Sequence, residues 1–294
     1  MQILHLDSGR EMRGGQWQAL RLIEGLTRQG IAGTLLTPRG SPLWEQSRAL
    51  GVKTEPLHLW TLRRLSGDAD LVHAHDARTH TLAAVFSRAP LIVSRRVAFP
   101  IRSAWKYRRA NRYAAVSQFV KQVMMAGGVP EPKIAVVYDG VPLAPVSPGG
   151  TTVVAPATGD PLKGVALALD ATRRAGVDLL LSRDLASDLA GAGLFLYLTH
   201  SEGLGSAILM AMAAGVPVIA SNIGGIPEIV SHRENGWLTE NDPETIAAAI
   251  RELLANRPLA RSLAARGRQT VAERFSLDQM IQNTICLYRQ VLAC

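Results

Sequence analysis

Short apolar runs alternate along the chain with longer stretches in which apolar residues recur every three or four positions. Most of these runs are continuous, which is typical of parallel strands covered on both faces. Such alternation predicts parallel βαβ units. In the first half it predicts helices over residues 16–29 and 118–126, and strands over residues 2–6, 34–37, 71–74, 91–94, 114–116 and 135–137.

A segment rich in proline and glycine interrupts this pattern at residues 141–150, where three prolines and two glycines favour an extended linker. We therefore expect an α/β protein with two parallel-sheet domains, one over residues 1–145 and the other over residues 146–275. Beyond the linker the alternation resumes and predicts strands at residues 152–155, 177–182, 194–198 and 218–220.

The chain ends in two helical stretches. Asp242 and Pro243 supply an N-cap and a proline at the first helical position. Residues 276–279 form a capping box that opens the final helix. We expect this C-terminal helix, residues 276–294, to pack back toward the N-terminal domain. Its apolar side consists of Met280, Ile281, Thr284, Ile285, Tyr288 and Val291.

The composition is that of a folded protein, with 47% hydrophobic and 19% charged residues. No apolar run approaches the ~20 residues that a membrane-spanning helix needs. The first segment reaches Asp7 too early for a signal peptide, so we expect a cytoplasmic protein. Cys286 and Cys294 are its two cysteines, and in a reducing compartment they predict neither a disulfide framework nor a metal site.

Positive charge is concentrated in the first half of the chain. Of the 32 Lys and Arg and 24 Asp and Glu, residues 1–145 hold 20 basic and 10 acidic side chains. This excess indicates an anionic partner, either phosphates, a membrane surface or nucleic acid. No nucleic-acid-binding motif is recognisable, so we expect no nucleic acid. Arg95, Arg96 and the basic, aromatic stretch 102–112 are candidates for contact with an acceptor or with the inner face of an anionic membrane. The alternative is a solvated basic face.

Ligands of open α/β sheets bind beyond the carboxyl ends of the strands, and two candidate sites of this kind lie in the first half. Gly14 and Gly15 form a turn whose N–H groups can approach a phosphate, although such a turn can also be purely structural. His73 and His75 lie on one side of a strand end. We expect His73 to be a core residue satisfied by the backbone and His75 to meet a ligand. No further His, Cys or Asp spacing indicates a metal.

The third candidate is the segment 201–210, in which Glu202, two glycines and Ser206 lead into an apolar helix. The helix N-terminus offers free N–H groups, and the carboxylate can accept hydrogen bonds from hydroxyls. Together they suit a polyhydroxyl ligand that carries phosphate. An acidic residue that only complements the helix dipole is the alternative.

Several motifs resemble those of glycosyltransferase family 4, and they occur along the chain in the same order as in that family. They are Glu202-Gly203-Leu204-Gly205, Ala211-Met212-Ala213-Ala214-Gly215-Val216-Pro217-Val218, Gly224-Gly225-Ile226-Pro227-Glu228, Gly14-Gly15, His73-Ala74-His75-Asp76, Ala115-Val116-Ser117 and Asp139-Gly140-Val141. The resemblance implies a retaining enzyme with two Rossmann-like domains that face each other across a cleft, the GT-B fold. It further implies a nucleotide-diphosphate sugar as donor substrate, no cofactor and no metal.

The resemblance also implies roles for individual residues. Glu202 is similar to the glutamate that contacts the donor sugar, and His75 to the histidine that faces the transferred sugar. Lys163 is similar to the lysine that neutralises the donor diphosphate, and Gly14 and Gly15 to the glycine loop beside it. We take Glu202 and His75 as the catalytic candidates.

Three departures from the family pattern stand out. Met210 occupies the position of the family's second glutamate, and no arginine precedes Lys163. Only 38 residues, 164–201, separate Lys163 from Glu202, so we expect a reduced C-terminal domain in which Arg183 can supply the missing cation. The predicted donor-binding set is Gly14, Gly15, Lys163, Arg183, Gly203, Leu204, Gly205, Ser206 and Met210, with Arg95 and Arg96 on the acceptor side.

The leading interpretation is therefore a metal-independent hexosyltransferase of cell-envelope glycan biosynthesis that acts on a glycan or lipid-linked acceptor. A nucleotide-sugar epimerase or hydrolase is a second interpretation, because one fold hosts several activities. A non-catalytic scaffold that binds a sugar nucleotide or a partner protein is a third, and Met210 and the short C-terminal domain favour it.

Overall fold

The computed structural model describes residues 1–102, 104–147 and 149–293. Ser103 of the basic stretch, Pro148 of the predicted linker and Cys294 lie outside the described residues. The chain divides into two compact units. The first comprises Met1–Asp139 together with the segment that begins at Leu277, and the second comprises Gly140–Ser276.

The first unit is built on a seven-stranded parallel sheet with helices between the strands. Its strand order is β3-β2-β1-β4-β5-β6-β7. The strands are β1 (Gln2–Leu6), β2 (Ala32–Thr37), β3 (Lys53–Pro56), β4 (Leu71–Ala74), β5 (Leu91–Arg95), β6 (Arg112–Ala115) and β7 (Ile134–Val136). The helices are α1 (Gly14–Arg28), α2 (Pro42–Ala49), α3 (Leu59–Asp68), α4 (Ala77–Phe86) and α5 (Gln118–Ala126).

The second unit is smaller and has a five-stranded parallel sheet of order β12-β11-β10-β8-β9. The strands are β8 (Thr152–Pro156), β9 (Leu179–Ser182), β10 (Ala192–Tyr197), β11 (Val218–Ser221) and β12 (Trp237–Thr239). The helices are α6 (Val165–Ala175), α7 (Leu185–Asp188), α8 (Ser206–Ala213), α9 (Pro243–Ala255) and α10 (Arg257–Arg274).

The final helix, α11 (Leu277–Leu292), packs in the core of the first unit. Its predicted apolar side is buried in full and contacts Leu22 and Leu26 of α1 and the strand residues Ile3 and Leu71. Burial of this stripe stabilises the packing of α11 against the first unit, because apolar area removed from water contributes about 25 cal/mol per Å². The predicted N-cap of α9 is also present, since the Asp242 carboxylate accepts a hydrogen bond from Thr245 N at 2.8 Å.

The ten predicted strands are all present, with bounds that differ by a few residues at most, but two further strands were missed. β3 reads Lys-Thr-Glu-Pro and lies at one edge of its sheet, where none of its residues is fully buried. Charged residues and proline are typical of edge strands, and they hide the apolar pattern. β12, the other missed strand, is an edge strand of three residues.

Candidate functional site

Three polar side chains meet beyond the carboxyl ends of two neighbouring strands of the second unit. Lys163 ends the turn that follows β8, and Tyr197 and Glu202 lie at the end of β10 and just after it. Lys163 Nζ donates to Glu202 Oε2 at 2.6 Å, and Tyr197 OH donates to the same oxygen at 2.5 Å. Gly203 N donates to Oε1 at 2.9 Å. The structure therefore brings two predicted residues together and adds Tyr197, which the sequence did not reveal.

Backbone contacts hold the two loops of this cluster against each other. Gly164 has a φ of +59°, and a Cβ there would stand 2.7 Å from the carbonyl oxygen of Leu198, so only glycine fits. His200 N donates to the carbonyl oxygen of Leu162 at 2.8 Å. On the other side, a Cβ on Gly224 would overlap the carbonyl oxygen of Glu202. These close approaches fix the positions of Lys163 and Glu202 before any ligand binds.

The cluster is partly shielded from solvent, since the side chain of Lys163 is 31% exposed and that of Glu202 13%. Burial raises the pKa of Tyr197 well above its ordinary value, and the adjacent Glu202 carboxylate raises it further. The tyrosine therefore keeps its proton and donates a hydrogen bond to the carboxylate. Next to this cluster, Gly203, Leu204 and Gly205 lead into Ser206, where α8 begins. The N-terminus of α8 presents N–H groups and positive potential suited to an anion.

Two other predicted donor-site residues occupy the same edge of this sheet. Arg183 follows β9, the neighbour of β8, and its side chain is exposed. Within the part of the chain that the structure describes, it forms no ion pair. Met210 lies on α8, one turn from Ser206, and is partly exposed. It is therefore not a core residue.

In the first unit, the turn at Gly14 and Gly15 opens helix α1. The space beside Gly15 is open, because a Cβ there would meet no atom within 4 Å. Gln16 Nε2 donates to both carboxylate oxygens of Asp7 at 3.1 Å, which ties the helix start to the end of β1. Burial raises the pKa of Asp7 to about 6, and the nearby Asp76 adds to this effect.

His73 of β4 and His75, which directly follows β4, form a buried group with His5 of β1. His73 is a core residue as predicted, but hydroxyls rather than backbone satisfy it: Tyr288 OH lies 2.6 Å from Nδ1 and Ser94 Oγ 2.8 Å from Nε2. His75 Nε2 lies 3.1 Å from His5 Nδ1. Burial lowers the pKa of all three, that of His5 to about 3, so they are neutral at pH 7.

One nitrogen from each of these histidines lies within 4.8 Å of the others, a set that could hold a metal ion. No such grouping was expected from the spacing of these residues, because His5 is 70 residues from His75. The grouping forms because β1 and β4 are neighbours and His5 stands in register with His73.

The guanidinium groups of Arg95 and Arg96 are engaged within the first unit. Arg95 donates to Tyr107 OH at 2.9 Å and to the carbonyl oxygen of Phe99 at 2.5 Å. Arg96 forms a part-buried ion pair with Asp139 at 3.0 Å. These contacts shape the segment after β5, so neither side chain extends freely into solvent as a basic surface would require.

Comparison with known proteins gives two family matches. The model described as "Glycosyltransferase Family 4" matches residues 12–144, and that described as "Glycosyl transferases group 1" matches residues 160–270. N-acetyl-alpha-D-glucosaminyl L-malate synthase of Bacillus anthracis is 36% identical over 110 residues, which are 37% of this chain and 29% of that protein. A GDP-mannose-dependent alpha-(1-6)-phosphatidylinositol monomannoside mannosyltransferase of Mycobacterium tuberculosis is 42% identical over 80 residues, 27% of this chain and 21% of that protein. The matched segments thus span less than a third of these relatives.

Solved structures cover nearly the whole chain. Anabaena Alr3699/HepE in complex with UDP and glucose has a TM-score of 0.87 and 17% identity, and covers 99% of this chain and 100% of that one. Sucrose-phosphate synthase from Thermosynechococcus elongatus has a TM-score of 0.78 and 19% identity, and covers 100% and 99%. The two parallel-sheet units and these likenesses define the GT-B fold. The chain belongs to glycosyltransferase family 4. Among the helices of the described residues, none has the length and apolar character that a bilayer crossing requires.

Proposed function

We propose that this protein transfers a hexosyl group, with retention and without a metal, from a nucleotide-diphosphate sugar to a glycan or lipid-linked acceptor. The observation that carries the proposal is the cluster of Lys163, Glu202 and Tyr197 beside the N-terminus of α8. It combines a cation and free N–H groups for phosphate oxygens with a carboxylate that can bind sugar hydroxyls.

The donor diphosphate is assigned to Lys163 and to the N–H groups that open α8. Arg183, exposed at the neighbouring strand end, is a further cation for the leaving group. These groups stabilise negative charge without a metal ion. One relative is named as GDP-mannose-dependent, and one similar structure contains UDP and glucose, so UDP- and GDP-sugars are the first donors to test.

In the proposed reaction, the bond between the sugar anomeric carbon and the diphosphate oxygen breaks, and a bond to the acceptor oxygen forms on the same face. The acceptor hydroxyl proton passes to the departing diphosphate, so charge and atoms balance. Lys163 and the N–H groups of α8 stabilise the charge that develops on the leaving group. Glu202 positions the sugar by accepting hydrogen bonds from its hydroxyls.

A lipid-linked acceptor would bring the first unit to a membrane surface. Val97, Phe99 and Trp105 are 41%, 52% and 48% exposed, and they are interspersed with the exposed cations Arg102, Arg108 and Arg109. Exposed aromatic and basic side chains together suit an anionic interface. Tyr107 of the stretch 102–112 is buried, as is Tyr113, so both belong to the core. The expectation that the aromatic side chains of this stretch contact a membrane was therefore wrong for Tyr107.

The experiment has two stages. A thermal-shift screen of UDP, GDP and their sugars identifies the donor, because a bound ligand stabilises the folded state by mass action. The enzyme is then incubated with that donor, with and without candidate acceptors, and NMR determines the anomeric configuration of the product. Transfer with retention supports the proposal. The proposal would be overturned by hydrolysis or epimerisation of the donor that needs no acceptor. Tight donor binding without turnover would instead indicate a non-catalytic scaffold, and a product of inverted configuration would exclude retention.

A further inference from the structure

A polar pocket of about 500 Å³ lies within the first unit, and none of the predicted donor-binding residues lines it. Its lining comes from the loops that follow β1, β2 and β3 and from the start of α4. These strands are neighbours in the order β3-β2-β1-β4, so the pocket lies at the carboxyl edge of the sheet, where α/β proteins bind ligands.

Three arginines line this pocket, one from each of three different loops or helices. Arg10 follows β1, Arg39 follows β2, and Arg78 is in the first turn of α4. All three are exposed, and among the described residues none of their guanidinium groups has an ion-pair partner. No acidic side chain is among the lining residues. Three unneutralised cations around one cavity create a strongly positive potential.

Two further features favour an anion here. Gly40 and Ser41 line the pocket at the N-terminus of α2, whose positive potential favours an anion, although Pro42 carries no N–H and Trp44 N donates to Ser41 Oγ. The Asp76 carboxylate accepts hydrogen bonds from Ser8 N at 2.6 Å, Ser8 Oγ at 2.9 Å and Arg78 N at 2.8 Å. Among the described residues it forms no ion pair with the three arginines.

We infer that this pocket binds a phosphate group carried by the acceptor. The identification of the phosphate carrier as the acceptor rests on the proposed function, whereas the existence of an anion site does not. Guanidinium groups bind phosphate through paired, charge-assisted hydrogen bonds, and three converging arginines select phosphate over neutral sugars. Two exposed apolar residues, Leu59 and Trp60, follow the lining residue His58 in the sequence, and Trp60 is 72% exposed. A phosphate with an attached lipid and a soluble phosphate ester share the same binding chemistry.

The test measures binding of glycerol 3-phosphate by calorimetry, with glycerol as the uncharged probe. The pocket variant is the triple change Arg10→Gln, Arg39→Gln and Arg78→Gln. The matched control is Arg28→Gln, Arg48→Gln and Arg88→Gln, which removes the same charge from other exposed parts of the first unit. We expect the pocket variant to bind glycerol 3-phosphate about tenfold more weakly or worse, while the control matches the wild type. All six side chains are exposed, so circular dichroism should show unchanged folding.

A second arm separates the two sources of phosphate. Phosphatidylcholine vesicles with and without phosphatidic acid are sedimented with each protein. If the pocket variant no longer binds the vesicles that contain phosphatidic acid, the pocket binds a lipid phosphate. If the variant loses affinity for glycerol 3-phosphate alone, the pocket binds a soluble phosphate ester. Equal affinity of the wild type and the pocket variant for both probes would overturn the inference.

Donor binding, measured on the same proteins, keeps the two proposals apart. The pocket variant should bind the donor nucleotide as the wild type does, whereas Lys163→Ala should lose donor affinity and retain glycerol 3-phosphate. If no nucleotide binds any of the proteins, the proposed function fails while the arginine pocket stands on its phosphate affinity alone.

Discussion

Lys163 Nζ lies 2.6 Å from Glu202 Oε2, although 39 positions separate the two residues in the sequence. The pair is only partly exposed and shares Tyr197 as a third member, so its geometry is fixed before a donor arrives. A donor diphosphate would therefore compete with Glu202 for Lys163, and the freed carboxylate would be available to sugar hydroxyls.

Removal of either member of this pair should damage donor use in different ways. Lys163→Ala should weaken donor binding by about 1.5–3 kcal/mol, the usual contribution of a charge-assisted hydrogen bond. Glu202→Gln keeps the size of the side chain and should leave folding intact, yet lower turnover by orders of magnitude. Calorimetry and product assays measure the two effects. Lys121→Ala, which breaks a comparable ion pair with Glu131, is the control and should change neither. Wild-type kinetics in both test variants would show that the site is misassigned.

The Tyr197 hydroxyl should contribute more to stability than an ordinary buried tyrosine hydroxyl. Tyr197→Phe removes a donor to a carboxylate, and we expect the free energy of unfolding to fall by about 1.5–3 kcal/mol. Tyr113→Phe is the matched comparison, because that hydroxyl donates to the neutral carbonyl oxygen of Tyr107 at 2.7 Å and should contribute about 0.5–1.5 kcal/mol. Urea denaturation measures both. The reverse ranking would contradict a strong hydrogen bond to Glu202.

Met210→Glu tests how the nucleotide binds. Because Met210 is partly exposed on α8, the new carboxylate can remain hydrated and the fold should be unaffected. If the nucleotide ribose passes over this position, donor affinity should rise by about 1–3 kcal/mol, as for hydrogen bonds to a charged group. Leu209→Glu, at a fully buried neighbour, should instead destabilise the protein by several kcal/mol. Unchanged donor affinity with a stable Met210→Glu protein would mean that the nucleotide lies elsewhere.

Asp7 should make stability depend on pH. Its pKa is about 6 in the folded state and ordinarily 3.8, so the folded protein retains a proton that the unfolded chain releases. Stability from this group therefore falls as pH rises from about 4 to 6 and is constant above that, a total of about 3 kcal/mol. Asp7→Asn lacks the titration, and its stability relative to wild type should rise over the same interval. Urea unfolding at several pH values measures this difference, and parallel profiles for the two proteins would refute it.

Much of the architecture follows from the sequence, because short-range patterns encode it. Continuous apolar runs identified the central strands of both sheets, and the stripe on the final helix identified the residues that it buries. Glycine also acts locally: Gly164 and Gly224 mark the places where the loops beside Lys163 and Glu202 come closest to other backbone. The edge strand β3 escaped detection because none of its four residues is fully buried, so no apolar pattern marks it.

What only the tertiary structure decided are the pairings between residues far apart in the chain. Tyr197 becomes a partner of Lys163 and Glu202 because β8 and β10 are neighbours, an order that no local pattern specifies. His5 reaches His75 for the same reason, through the adjacency of β1 and β4. The sequence predicted that Arg95 and Arg96 belong to a basic contact surface. In the structure, Arg95 donates hydrogen bonds to Tyr107 and Phe99, and Arg96 forms an ion pair with Asp139. Side-chain type and local period are properties of a segment, whereas charge pairing depends on which strands the whole fold places side by side.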